Sequence, residues 1–160
     1  MNTLGHKLRV TVFGQSHAPA IGCVVEGLPA GFIPDMDRLA AFLARRAPGR
    51  TAWSTPRQES DAPESAVIRN GDQRSRDYEG LRRTPRPSHA DYTAWVKYGE
   101  SYDIRGGGQF SGRLTAPLCF AGALALQLLE ERGVTVAAHN GQLGGRYAEA
   151  PDFAALDQGR

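Results

Sequence analysis

The run LCFAGALALQLLEERG, residues 118–133, limits the possible folds of this chain more than any other segment. Its apolar residues recur at helical spacing. They form one face, made of Leu118, Ala121, Leu124, Ala125 and Leu128. Pro117 suits a first helical turn and Gly133 suits a carboxyl-terminal cap. The pattern predicts a helix from Pro117 to Arg132, with an apolar face that other elements must cover.

The first part of the chain has the patterns of two strands and a helix. Leu8, Val10 and Val12 alternate with other residues at period two, and GCVVEG, residues 22–27, is a β-branched run bounded by glycines. Asp35 is a good N-cap for a helix that reaches Arg46. These patterns predict a hairpin-like start followed by a helix.

Only two strand signals follow that helix. AVI, residues 66–68, has the pattern of a buried strand, and the segment from 134 onward has that of one strand and a tail. The stretch from 49 to about 103 otherwise reads as irregular, which in a compact domain indicates function or disorder. We predict a single domain over 1–160, an α/β (α+β) sandwich of antiparallel sheet and helices.

Composition is that of a folded, soluble chain, with 41% hydrophobic and 22% charged residues among 160. No apolar window looks long enough to span a bilayer and the start lacks a signal peptide, so we expect a cytoplasmic protein without membrane contact. Cys23 and Cys119 have no CxxC spacing. We therefore expect two buried thiols in a reducing compartment, and no metal site.

Thirteen of the 19 lysines and arginines lie between Arg45 and Arg113, among nine acidic residues, which gives this section a charge of +4. Arginine forks match phosphate or carboxylate oxygens. A pocket for a polyanionic ligand and a solvated charged face both explain the excess. A nucleic-acid surface would fit the charge, but the section lacks interleaved aromatics and any known binding module.

The segment RGGGQFSGR, residues 105–113, precedes the long apolar run, so a glycine loop is expected to lead directly into a helix amino terminus. Backbone N–H groups there suit a phosphate, although three successive glycines more often form a flexible turn. His17 and His89 lie in polar sequence and are candidate proton donors, but a histidine in such sequence, taken singly, is more often a structural or surface residue. Ser16 is a poor nucleophile candidate because GQSHA lacks the last glycine of G-x-S-x-G.

Taken together and in order, four segments resemble the chorismate synthase family. GQSHAPAIGCVVEGLPAG, residues 14–31, resembles the family's GESHG signature. ARRAPGR with STPRQESD, residues 44–61, resembles its arginine-rich loop. IRNGDQRSRDYEGLRRTPRPSHADYTAWVKYG, residues 68–99, is similar to its N-x-D-x-R-S-x-D-Y and R-P-G-H-A-D-Y-T elements. IRGGGQFSGRLTA, residues 104–116, is similar to its glycine signature.

The resemblance implies a lyase that makes chorismate from 5-enolpyruvylshikimate 3-phosphate by 1,4-elimination of phosphate, with reduced FMN and possibly NADPH to reduce it. Carried over by position, His17 would protonate the reduced flavin and His89 would assist the leaving phosphate. Ser16, Arg46 and Arg86 would contact substrate or NADPH. The FMN loop would comprise Gly108, Gln109, Phe110, Ser111, Gly112 and Arg113. A homotetramer is also implied for a full-length form.

This sequence departs from the family pattern at several points. Gln15 and Ala18 replace residues of GESHG, Ser88 replaces the glycine of R-P-G-H, and Ala52 replaces a pocket arginine. A family segment is missing between Glu64 and Ser65, and family chains are more than twice as long. We therefore expect an amino-terminal portion with little activity by itself. A non-catalytic remnant that still binds flavin or phosphate ligands is the alternative.

Overall fold

A computed structural model describes residues 2–46, 66–71, 78, 80–81 and 84–150. The chain divides into two compact units, Met1–Leu124 and Ala125–Arg160, and each is described by itself. The boundary lies inside the long helix. A single domain over 1–160 stays a prediction.

The first unit contains a four-stranded antiparallel sheet in the order β1-β2-β3-β4. Its strands are β1 (Thr3–Leu4), β2 (Arg9–Gly14), β3 (Ala20–Glu26) and β4 (Val67–Arg69). The predicted hairpin is confirmed as β2 and β3, and the expected strand at 66–68 corresponds to β4. The antiparallel sheet with helices agrees with the predicted α+β mixture, and the sandwich itself stays a prediction.

Helix α1 (Met36–Ala44) begins where the sequence predicts. The Asp35 carboxylate accepts a hydrogen bond of 3.0 Å from the backbone N–H of Arg38, which satisfies a donor that the first helical turn leaves open. Leu39 and Leu43 are its buried residues. The helix ends two residues before the expected Arg46.

Helix α2 (Asp91–Tyr98) lies in the stretch expected to be irregular, so that expectation is wrong for these residues. Only Asp91 and Ala94 are buried on this helix, which leaves too few apolar positions for a helical pattern to stand out in the sequence. A 3-10 turn, Gly99–Ser101, follows directly.

Helix α3 (Thr115–Glu130) agrees with the prediction to within two residues at each end. Helix α3 and the 3-10 turns before it form the run Arg105–Glu130, which by length and composition could cross a membrane. This differs from our expectation that no apolar window is long enough to span a bilayer. Its continuous α-helix has 16 residues, about 24 Å, which is short of a hydrocarbon core of about 30 Å. Ala123 and Leu124 of this helix are buried core residues, so the run is weak evidence for a membrane span.

Two buried clusters hold the first unit together. Leu39, Leu43, Ala123 and Leu124 join α1 to α3, and Ile21, Ile68 and Ala116 join the sheet to the start of α3. A buried aliphatic side chain of this size contributes about 1.5–3 kcal/mol. The Cys23 thiol donates to the Pro117 carbonyl at 3.3 Å, and burial raises its pKa. Cys119 is only half-buried, so the expectation of two buried thiols is right for Cys23 alone.

The second unit contains the end of α3 and a short hairpin. Gly133, with φ of 70°, caps the helix as predicted, and the N–H of Val134 donates to the Leu129 carbonyl. The strand predicted from 134 onward is misplaced: the strands are β5 (Gln142–Leu143) and β6 (Arg146–Tyr147). Two glycines with positive φ, Gly144 and Gly145, form the turn that pairs them.

Candidate functional site

The turn between β2 and β3 packs against the glycine loop that precedes α3. The backbone N–H of Ser16 donates to the Gly108 carbonyl at 3.0 Å. Ser16 and His17 are each 3% exposed. Ser16 and His17 are therefore both buried within the first unit.

The glycine loop adopts a backbone that only glycine accepts without strain. Gly106, Gly107 and Gly108 have φ of 61°, 91° and 54°. A Cβ on Gly106 would lie 2.5 Å from Cε1 and Nδ1 of the His17 ring, closer than real contacts allow. These glycines lie inside a 3-10 turn, Arg105–Phe110, and a second 3-10 turn, Gly112–Leu114, ends where α3 begins at Thr115. The glycine loop, residues 105–113, therefore leads into the amino terminus of α3 as expected, and it does so through 3-10 turns.

The His17 ring has an aromatic neighbour and an acidic one. Tyr78 meets it edge-on, with ring centroids 5.1 Å apart and planes at 74°. A hydrogen bond from Arg105 is the main reason why the pKa of Asp103 is lowered, and the His17 charge adds to that effect. Burial disfavours the charged imidazolium of His17 and a carboxylate within electrostatic range favours it, so these two effects on the ring oppose each other.

Asn70, immediately after β4, connects the turn to the glycine segment. Its side-chain amide donates to the Ser16 carbonyl at 2.8 Å and to the Ala18 carbonyl at 3.0 Å. Its amide oxygen accepts from Nη1 of Arg113 at 2.6 Å, and the same nitrogen donates to the Ser16 carbonyl at 3.0 Å. Sequence reasoning missed Asn70 as a site residue, although it is the asparagine of the N-x-D-x-R element.

Arg86 and Asp91 form the second centre of the site. The guanidinium donates through Nε at 2.7 Å and Nη2 at 2.9 Å, and the Arg86 backbone N–H adds a bond of 3.0 Å to the same carboxylate. The Asp91 side chain is 2% exposed. The hydrogen bond from Arg86 is the main cause that lowers the pKa of Asp91 to about 2, and the same bond raises the pKa of Arg86. Arg86 also lies 5.5 Å from the centre of the Tyr78 ring.

His89 lies on the surface next to this ion pair. Its Nδ1 is 3.2 Å from the Pro87 carbonyl, and its charge contributes to the lowered pKa of Asp91. Ser88 before it has φ of 62°, the left-handed region in which the family has glycine. His17 and His89 are thus linked through Tyr78, Arg86 and Asp91.

The remaining predicted residues line the segment between the glycines and α3. Arg46 reaches it from the end of α1, with Nε 3.4 Å from Thr115 Oγ1 and Nη2 3.5 Å from the Gly112 carbonyl. Ser111 Oγ accepts from the Arg113 backbone N–H at 3.3 Å. The Gln109 side chain hydrogen-bonds the Tyr98 hydroxyl and lowers its pKa.

Phe110 is 49% exposed and lies 6.1 Å from Tyr102, centroid to centroid. A cavity of about 610 Å³ adjoins the Asp91 side of the site. It is lined by Leu81, Pro85, Asp91, Tyr92, Trp95, Gly99, Glu100, Tyr102 and Ile104. Within the described part of the chain, no three His, Cys, Asp or Glu residues are grouped to hold a metal ion.

Some predicted site residues lie in direct contact and others do not. Ser16, Gly108 and Arg113 belong to one hydrogen-bonded network next to His17, and Arg46 donates to the Gly112 carbonyl beside it. Arg86 and His89 lie at the Asp91 end. Parts of the arginine-rich segment, including Arg50, Ala52, Arg57 and Arg74, lie outside the described residues, as does the expected gap at 64–65.

Comparison with known proteins identifies a family for this chain. The sequence model of the family described as chorismate synthase matches residues 8–66 and 62–159. The two matched segments meet at 62–66, where the resemblance predicts a missing segment.

Curated chorismate synthases from three organisms are similar to the chain. The one from Lancefieldella parvula is 47% identical over 154 residues, 86% of this chain and 40% of the relative. The one from Korarchaeum cryptofilum is 42% identical over 160 residues, which are 91% of this chain and 44% of the relative. The one from Burkholderia multivorans is 47% identical over 159 residues, which are 89% of this chain and 43% of the relative. The chain spans about two fifths of the length of these relatives. On the family match and these identities, the chain belongs to the chorismate synthase family.

Proposed function

We propose that this chain carries part of the catalytic site of a chorismate synthase, an FMN-dependent carbon–oxygen lyase. The reaction removes phosphate and a C6 hydrogen from 5-enolpyruvylshikimate 3-phosphate in a 1,4-elimination: the allylic C–O bond and the C–H bond break, and a new double bond forms. The observation that supports this most is the buried His17 packed against the glycine loop.

The glycine segment fits a flavin phosphate. Around the Cβ position of Gly107 the nearest atom is Ser111 Cβ at 3.9 Å, and around that of Gly112 no atom lies within 4 Å, so there is space for a ligand beside the backbone. The Gly107 N–H itself donates to the Ile104 carbonyl at 3.2 Å. Gln109, Phe110, Ser111 and Arg113 would complete the contacts. Reduced FMN, when bound, supplies transient electron density that eases phosphate departure. NADPH is proposed as the reductant that regenerates it.

His17 would hold a proton toward the flavin. Its burial fixes the ring between Tyr78 and Gly106. A histidine can carry a proton near neutral pH because its ordinary pKa is about 6.5. Ser16 lies next to it as a positioning neighbour.

His89 would face the leaving phosphate. It is exposed, so a ligand can reach its ring, and Ser88 turns the chain immediately before it. Arg86 holds Asp91 through Nε and Nη2, and a guanidinium has further N–H groups that can contact an anionic substrate. Arg46, at the glycine segment, would contact substrate or NADPH.

The test is an anaerobic assay with reduced FMN and 5-enolpyruvylshikimate 3-phosphate that follows phosphate and chorismate. We expect weak release at most from this chain, full release from any longer form that its gene encodes, and loss of release in His17→Ala and His89→Ala. His6→Ala is the matched control, since that histidine lies outside the site. No release by a longer form, or release unchanged by both substitutions, would contradict the proposal.

A second candidate is a non-catalytic protein that binds flavin or phosphate ligands. It is favoured by the departures from the family motifs, such as Gln15 and Ala18 in place of residues of GESHG. Flavin titration distinguishes the two: binding without turnover in every form supports the second candidate. If neither flavin binding nor turnover is detected, both candidates fail and the chain is a structural fragment.

Interactions of the described arginines support a small-molecule site. Arg86 and Arg105 pair with carboxylates and Arg113 bonds Asn70, so they contribute to an organised site and do not resemble an open basic surface. We propose a cytoplasmic protein, without nucleic-acid or membrane partners, whose full-length form is a homotetramer. Unchanged mobility in a gel-shift assay with RNA or DNA at low salt would agree with the first of these exclusions.

A further inference from the structure

We propose that Asn70 is a positioning residue for His17: it clamps the turn that carries the histidine and, with Arg113, fixes the direction of the imidazole ring. The clamp is a property of the fold. Its importance for turnover rests on the proposed function.

The backbone of Asn70 is fixed by the sheet. Strand β4 pairs with β3 through Ala20 and Arg69, and the Asn70 N–H continues this pairing by donating to the Pro19 carbonyl at 2.9 Å. The side chain of Asn70 is thereby held beside the turn between β2 and β3.

The side chain then holds both carbonyls that flank the histidine. Nδ2 donates to the Ser16 carbonyl at 2.8 Å and the Ala18 carbonyl at 3.0 Å, which are the carbonyls of the residues on either side of His17. Holding both carbonyls restricts the backbone dihedrals of His17, and the backbone dihedrals restrict its rotamer.

Arg113 closes the network. Its Nη1 donates to the Asn70 amide oxygen at 2.6 Å and to the Ser16 carbonyl at 3.0 Å. The partners of the Asn70 amide determine its orientation: its NH₂ group faces the Ser16 and Ala18 carbonyls, and its oxygen faces the Arg113 guanidinium. On the other side of the turn, the Ser16 N–H is held by the Gly108 carbonyl.

No other side chain of this length can replace asparagine here. The site needs two donors and one acceptor within a short reach, which an amide supplies. Aspartate would direct an oxygen at two carbonyls, and alanine would leave the Ser16 and Ala18 carbonyls with fewer donors. Glutamine offers the same groups one methylene further away, so it is the conservative variant.

The experiment compares Asn70→Ala and Asn70→Gln with Asn140→Ala, a matched control at an exposed position in the second unit. The ring resonances of the four histidines are assigned by NMR and titrated with pH. We expect Asn70→Ala to shift the His17 resonances and its titration midpoint while His6 and His139 stay unchanged. Asn70→Gln should restore part of the His17 behaviour and remain folded if the alanine variant does not.

Kinetics gives a second readout in whichever form releases phosphate. We expect kcat to fall by up to about 100-fold in Asn70→Ala with KM nearly unchanged, since a misplaced catalytic group loses rate more than binding. Unchanged His17 resonances in both folded Asn70 variants would overturn the clamp, whether or not the chain is a synthase. Shifted His17 resonances in Asn70→Ala, without flavin binding or turnover in any form of the protein, would support the clamp and contradict the proposed function.

Discussion

Replacing Asp91 by asparagine tests whether the ion pair with Arg86 stabilises the segment that carries His89. The asparagine side chain is nearly the same size, but it lacks the negative charge of the carboxylate that accepts three hydrogen bonds from Arg86. The Asp91 side chain is 2% exposed and that of Arg86 is 21% exposed, so solvent screens the pair only weakly.

The magnitude follows from the pKa of Asp91, which is lowered from 3.8 to about 2. At about 1.4 kcal/mol for each pKa unit, the pair contributes about 2.5 kcal/mol at neutral pH. Because the folded-state pKa is the lower one, this stability is complete above the unfolded pKa and is lost as pH falls toward 2. About half of it, roughly 1.3 kcal/mol, should remain at pH 3.

Urea unfolding of the wild type and Asp91→Asn at pH 7, 5 and 3 measures this contribution. We expect a difference of about 2–3 kcal/mol at pH 7 and 5 that shrinks to about half at pH 3. Glu149→Gln, an exposed change in the second unit, is the control and should cost less than about 0.5 kcal/mol at every pH. A difference that is the same at pH 7 and pH 3 would refute the electrostatic reasoning.

Four further substitutions test backbone geometry by urea unfolding. Ser88 has φ of 62°, so Ser88→Gly should raise the free energy of unfolding by about 0.5–1 kcal/mol. Its control, Ser101→Gly in a 3-10 turn, should lower the free energy of unfolding. Equal effects of the two substitutions would contradict backbone strain at Ser88. Gly106→Ala should lose about 2 kcal/mol or more and displace the His17 ring in NMR spectra, because the new Cβ would lie 2.5 Å from that ring. At Gly122 in α3 no atom lies within 4 Å of the Cβ position, so Gly122→Ala should raise the free energy of unfolding by up to about 1 kcal/mol. A lower free energy of unfolding would contradict the open space at this position.

The sequence predicted those elements whose apolar residues repeat regularly. The alternation in β2 and the helical spacing in α3 place both elements where the structure has them. Of the predicted face of α3, Ala121 and Leu124 are buried whereas Leu118 is exposed. Helix α2 was missed because its sequence has no comparable stripe: Trp95 and Val96 are 54% and 64% exposed although apolar. The strand expected after Gly133 was misplaced because the two glycines at 144–145, and not the valines, determine the hairpin.

The site could be predicted only in part, and for a different reason. Resemblance to a family singled out His17 and the glycine segment, whereas neither burial nor the hydrogen-bond network follows from residue spacing. Asn70 and Ala18 are 52 residues apart and Arg113 and Ser16 are 97 apart, so only the folded chain brings them together. Local periodicity carries no information about such contacts.

The contacts of the arginines indicate how positive charge is distributed around the site. Arg86 and Arg105 each donate two side-chain bonds to a carboxylate, so their charge is largely balanced where they stand. Arg113 donates to oxygens of Ser16 and Asn70, and Arg46 donates to the Gly112 carbonyl, which brings both guanidinium groups to the border of the glycine segment. A guanidinium stays charged at every physiological pH. We infer that Arg46 and Arg113 add positive potential for a phosphate at this segment.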